Sequence, residues 1–87
     1  MEKNWTLYIL ECGDGTLYTG ITDNLEKRLA AHRAGKGAKY TRGRSPIFLR
    51  YTEPCESHSH ALRREIEVKR LSRSEKMKLY TVTNIQQ

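Results

Sequence analysis

No stretch of this 87-residue chain approaches the roughly 20 consecutive apolar residues that a membrane-crossing helix needs, which excludes helical membrane proteins. Nor do the first residues, Met1 to Trp5, contain the apolar segment of a signal peptide, so export is not expected. Cysteine is nearly absent. Cys12 and Cys55 form neither a CxxC pair nor the dense framework of a secreted scaffold, and reduced thiols in a cytoplasm are expected. Proline occurs only at 46 and 54, where each should interrupt regular structure. At this length a single domain over residues 1–87 is expected, with a thin core spanning about 5–80.

Negative charge is missing where positive charge is dense. Between Lys27 and Arg50 there are eight basic residues and no acid, whereas residues 1–26 hold five acids and one base. From Arg63 to Lys78 there are seven bases against three acids. Unopposed positive charge attracts polyanions and steers their approach, so nucleic acid is the expected partner. A membrane-surface role fits poorly, because no helix combines a basic face with bulky aromatic anchors.

Trp5 to Glu11 and Leu17 to Thr22 are rich in aromatic and branched residues and read as strands joined by the turn residues Cys12-Gly13-Asp14-Gly15. In an even register Tyr8, Leu10, Tyr18 and Gly20 share one face. Asp23-Asn24-Leu25-Glu26 resembles a capping box with Asp23 as cap. The helix after it should turn Leu25, Leu29 and Ala30 inward and end near Gly35. A glycine-punctuated basic loop follows to Arg44, with room for one helical turn. Ile47 to Thr52 reads as a third strand ended by Pro54. A second helix should run from Ser57 or Ser59 to about Leu71, and a short last helix, capped by Ser72 or Ser74, through Leu79. Residues 81–87 read as a loose tail.

Several residues in this framework could carry chemistry. Arg28 and His32 stand one helical turn apart on one face. Arg28 could clamp a phosphate or lower a tyrosine's pKa, and His32 could exchange a proton near neutral pH. Taken singly, each also reads as an ordinary surface residue, and Tyr8 and Tyr18 as packing residues of strands. Glu65 falls amid the apolar arc Ala61, Leu62, Ile66 and Val68. A carboxylate there needs an ion-pair partner, Arg28 or Lys69, or a hard divalent ion completed by water and phosphate. In the basic loop, Lys36, Lys39, Arg42 and Arg44 could hold phosphates while Tyr40 stacks on a base. Cys55, His58 and His60 raise the question of zinc, but no fourth ligand has matching spacing.

In order, these elements are a tyrosine hairpin, Tyr18-Thr19-Gly20-Ile21-Thr22 with Asn24-Leu25, Arg28, His32, Ala38-Lys39-Tyr40-Thr41, and Ala61-Leu62-Arg63-Arg64-Glu65. The set resembles the GIY-YIG nuclease superfamily, most closely its small stand-alone bacterial YhbQ-like group. The resemblance implies an α/β (α+β) fold in ββαβαα order: a three-stranded, largely antiparallel sheet flanked by helices. It implies metal-dependent hydrolysis of DNA phosphodiesters with low sequence specificity, in repair or recombination, with one Mg²⁺ or Mn²⁺ held by Glu65. The alternative is a weakly active or non-catalytic nucleic-acid-binding module acting with partners. Branched or single-stranded DNA is the expected substrate, and RNA stays open. The implied catalytic set is Tyr8, Tyr18, Arg28, His32 and Glu65, with Tyr8 nearest the proton chemistry. The implied nucleic-acid contacts are Lys36, Lys39, Tyr40, Arg42, Arg44, Arg63 and Lys69. The first motif here reads Thr6-Leu7-Tyr8. Ile21 stands where the excinuclease members of the superfamily, whose hairpin is otherwise similar, carry a lysine.

Overall fold

The computed structural model describes residues 4–85, with side chains through Thr81. Two strands, β1 (Trp5–Cys12) and β2 (Leu17–Thr22), form the expected antiparallel hairpin. A third, β3 (Ile47–Cys55), pairs antiparallel with β1, giving the sheet order β2-β1-β3. Helices α1 (Leu25–Arg33), α2 (His58–Lys69) and α3 (Arg73–Ile85) complete the ββαβαα order, and a single 3₁₀ turn, Lys39–Thr41, sits in the basic loop.

The sheet is buried on both faces, as alternation along its strands requires. One face carries Tyr8, Leu10, Cys12 and Ile47, covered by Leu25 and Leu29 of α1. The other carries Leu7 and Ile9, which pack on Ala61 and Val68 of α2 and, more loosely, on Leu79 and Tyr80 of α3. A register shift between Ile9 and Leu10 leaves Arg50 as an extra residue in β3. That bulge lets Leu49 pack on the first face and Tyr51 on the second, although they are two residues apart.

Local chemistry moves several boundaries from their sequence expectations. The cap of α1 is Asn24, not Asp23: its side chain accepts the Lys27 amide at 3.1 Å. Ala30 is exposed, and the helix buries His32 instead. Pro54 does not end β3; it pairs with Thr6 on an edge strand, where a missing N–H is tolerated. Helix α2, capped by Ser57, ends at Lys69, before Leu71. The supposed tail forms the last turns of α3, whose reciprocal Ser72–Glu75 bonds make a capping box, with Glu75 N–H to Ser72 Oγ at 3.2 Å. Residues 86–87 of that tail lie outside the described residues.

The apolar arc of α2 is narrower than its periodicity predicts. Ala61 and Val68 are fully buried, but Leu62 and Ile66 are 41% and 52% exposed. The helix therefore rests on the sheet along the Ala61–Glu65–Val68 line, with Glu65 half-buried between two core residues.

Candidate active site

The pairing of Tyr8 with Gly20 places the phenol directly over a residue without a side chain. A Cβ at Gly20 would lie 2.5 Å from Tyr8 Oη and 3.1 Å from the Tyr18 ring. Gly20 is thus the floor on which both tyrosines rest, and the next strand pair, Leu10 with Tyr18, brings Tyr18 onto the same face. Gly20→Ala should destabilise the fold by about 1–3 kcal/mol through overpacking, read as a lower midpoint in chemical denaturation. NMR of the variant should also show a displaced Tyr8 by loss of its ring contacts. An unchanged midpoint with unchanged ring contacts would refute this packing.

Tyr8 is 1% exposed, and its hydroxyl meets His32 Nε2 at 2.9 Å. His32 is equally buried, and its Nδ1 lies 2.8 Å from Thr41 Oγ1. The Tyr18 ring stands 5.3 Å from the imidazole and stacks on Tyr40 at 5.8 Å. Arg44 lies over the Tyr40 ring at 4.8 Å, and Asp14 of the hairpin turn holds it at 2.5 Å. An aromatic column thus runs from the buried Tyr8 to the exposed Tyr40 and ends in a guanidinium. The Arg28 guanidinium interacts with the Tyr8 phenol and, more weakly, with that of Tyr18. Arg28 also borders an open cavity of about 290 Å³ that it shares with Thr22, Asn24 and Lys27.

Electrostatics separate the roles of these groups. Burial pushes the Tyr8 phenol above its ordinary value, and Arg28 works against that rise. Burial, followed by the Arg28 charge, holds His32 below the usual imidazole range, so at neutral pH it is uncharged. The reading of His32 as an ordinary surface histidine is overturned by its burial.

Glu65 approaches from the other layer of the fold. Its carboxylate is paired with Lys69 at 3.3 Å, one turn on, which makes Lys69 rather than Arg28 its partner. Its charge still reaches Tyr8, as the smallest of the influences on that phenol. Lys69 lines a groove of about 380 Å³ with Leu17, Tyr18, Thr19, Tyr40 and Lys76. This groove crosses the outer edge of β2 and joins the tyrosine face to the α2 face. Thr19 in its wall is 3% exposed, and its hydroxyl has no hydrogen-bond partner among the described residues. Among the described residues no three His, Cys, Asp or Glu side chains gather as an ion cage. Glu65 offers a single carboxylate, an all-oxygen donor. It fits a hard divalent ion whose remaining ligands are water and a substrate phosphate.

The basic residues divide by position. Lys36, Lys39 and Arg42 are on the loop beside the column, and Arg44 caps it. Arg63 is exposed on α2, but six residues from Lys69 it points well away from it. Sequence reasoning missed Lys76, which lines the groove, and Arg73, which lines a second cavity with Tyr40 and Lys76, because only the packing of α3 brings them there. It also missed Thr41 and Gly37. Cys55, His58 and His60 do not converge on an ion: Cys55 is buried and free, His58 stacks on Trp5 at 4.3 Å, and His60 Nδ1 accepts the Glu56 amide. Ile21, at the position of the absent lysine, packs into the core of the α2 face, opposite Tyr8. No described helix is long and apolar enough to cross a membrane.

Known proteins reproduce both the sequence order and the architecture. The chain is 54% identical over 74 residues to a UPF0213 protein of Halobacterium salinarum, covering 85% of this chain and 96% of that one. It is 53% identical over 79 residues to a UPF0213 protein of Staphylococcus haemolyticus, covering 91% and 95%. The solution structure of a UPF0213 protein from Bacillus halodurans matches with a TM-score of 0.59 at 49% identity, over 91% of this chain and 84% of that one. That of a protein from E. faecalis matches at 0.66 and 37% identity, over 98% and 93%. The model of the GIY-YIG catalytic domain matches residues 4–79, nearly the whole chain, and the chain belongs to the GIY-YIG family.

Proposed function

We propose that this protein is an endonuclease that hydrolyses phosphodiester bonds in DNA with low sequence specificity and depends on one Mg²⁺ or Mn²⁺ ion. The observation that carries this reading is the Tyr8–His32–Arg28 cluster, joined through the Tyr18 ring to an aromatic, lysine-lined groove. The groove suits a nucleic-acid strand. Lys69 and Lys76 neutralise phosphates, and Tyr40 offers a ring face to a base. Such contacts follow backbone and stacking rather than base edges, hence the low specificity. Glu65 is where the chain would hold the ion. When bound, the ion polarises the scissile phosphate and offsets developing charge.

The chain's own groups perform the rest. Tyr8, as its phenolate, takes the proton of the attacking water. Arg28 stabilises that phenolate and the charge that builds on phosphorus. His32 orients the phenol, and Tyr18 supports the imidazole and Tyr40. Purified protein should nick supercoiled and branched DNA with Mg²⁺ or Mn²⁺ and stop when EDTA removes the ion. Absence of cleavage by well-folded protein at every metal tested would overturn the reading. A non-catalytic binding module draws on one observation: Glu65 already has a lysine partner and stands on the opposite face from Tyr8. It predicts salt-sensitive DNA binding without metal-dependent nicking.

A further inference from the structure

His32 is uncharged and buried, so which of its nitrogens carries the single proton decides what it offers Tyr8. Three groups around it could settle the matter: the Tyr8 hydroxyl, the Thr41 hydroxyl and the Ala38 amide. The two hydroxyls rotate and suit either tautomer. The amide does not: its hydrogen is fixed by the backbone, and it points at His32 Nδ1 with N···N 3.4 Å. A proton on Nδ1 would face that fixed donor. The contact therefore favours a bare Nδ1 that accepts.

The Thr41 hydroxyl follows the amide. It reaches both Nδ1 at 2.8 Å and the Ala38 carbonyl at 3.0 Å. Its single proton has these two acceptors in reach; once the amide leaves Nδ1 bare, the nearer one is that nitrogen, and the carbonyl keeps the Thr41 amide at 3.1 Å. Thr41 is 2% exposed, and no solvent competes for the bond. The backbone approaches the ring so closely only because residue 37 is glycine: a Cβ there would lie 2.4 Å from Nδ1 and 2.7 Å from Cγ.

We propose that the loop after α1 is a tautomer clamp. The Ala38 amide and the Thr41 hydroxyl both donate to His32 Nδ1, confine the proton to Nε2, and so make His32 a hydrogen-bond donor to the Tyr8 oxygen. Thr41 is then a positioning residue that acts through His32 and touches no substrate. The clamp gives the phenol oxygen a fixed donor beside the Arg28 guanidinium, and both favour the phenolate over the phenol. The inference rests on the reading of Tyr8 as the proton acceptor for its kinetic consequence, but not for the tautomer itself.

Nitrogen-15 NMR of ¹⁵N-histidine-labelled protein at neutral pH separates the two. In the wild-type protein His32 should show a protonated Nε2 and an unprotonated, hydrogen-bonded Nδ1. Thr41→Val keeps the shape and removes the hydroxyl; it should weaken the Nδ1 signature and lower kcat by about 10-fold with KM little changed. Thr41→Ser should restore both. A protonated Nδ1 in the wild type overturns the clamp whatever the kinetics show. The expected tautomer in a protein that cleaves nothing overturns the nuclease reading and leaves the clamp standing. If Thr41→Val fails to fold, the wild-type tautomer and the Thr41→Ser kinetics still decide: a serine variant with the proton moved to Nδ1 refutes the proposal.

Discussion

Tyr8→Phe should lower the cleavage rate by about 10²–10⁴, the range of a positioned proton-transfer group, while binding of DNA stays near the wild-type level. The phenyl ring keeps the volume that packs against Leu10, Cys12 and Ile47, so the loss is confined to one oxygen. His32 Nε2 then loses its partner in a dry site, which costs about 1–3 kcal/mol of stability. The wild-type rate should climb with pH, because burial holds the phenol above its ordinary value and the phenolate is a minor species near neutrality. The variant should lose that slope. For stability the sign is the reverse. Above about pH 10 the unfolded chain gives up this proton before the folded one does, so alkaline conditions that favour catalysis weaken the fold. Rates of plasmid nicking measured across pH for both proteins test this. A variant within about threefold of the wild type, with its pH slope intact, would remove Tyr8 from proton transfer.

Glu65→Gln should take metal-dependent cleavage to background. The amide matches the carboxylate in shape, so the Ala61 and Val68 contacts of α2 persist, and the half-exposed Lys69 loses an ion pair worth about 0–1 kcal/mol. DNA binding in EDTA should hold or tighten, since the groove gains one net positive charge beside Lys69. Mn²⁺-induced broadening of NMR signals from α2 gives a readout that needs no turnover: it should be strong in the wild type and weak in the variant. Cleavage by Glu65→Gln at the wild-type rate would place the ion elsewhere.

The hairpin register and the side-by-side tyrosines are legible in the sequence because strand alternation leaves few choices once the turn is located. Arg28 and His32 are equally legible, since one helical turn is a local fact. The depth of His32 is not. It depends on the loop at Gly37 and Thr41 folding back over the imidazole, a contact between separate segments that no local periodicity encodes. Helix α2 misleads for a related reason. Its apolar stripe predicts that Leu62 and Ile66 are inside, yet the helix rolls so that Glu65 and Val68 face the sheet. Lys76 joins the groove, and Arg73 comes near Tyr40, only through the docking of α3.

The placement of the tyrosine motif on β2 has one further consequence. Among the described residues β2 pairs with β1 alone, and its other margin is the rim across which the groove runs. An open margin of backbone amides and carbonyls is a docking rail for any extended peptide. A peptide seated there would roof the passage between the phenol side and the carboxylate side of the sheet.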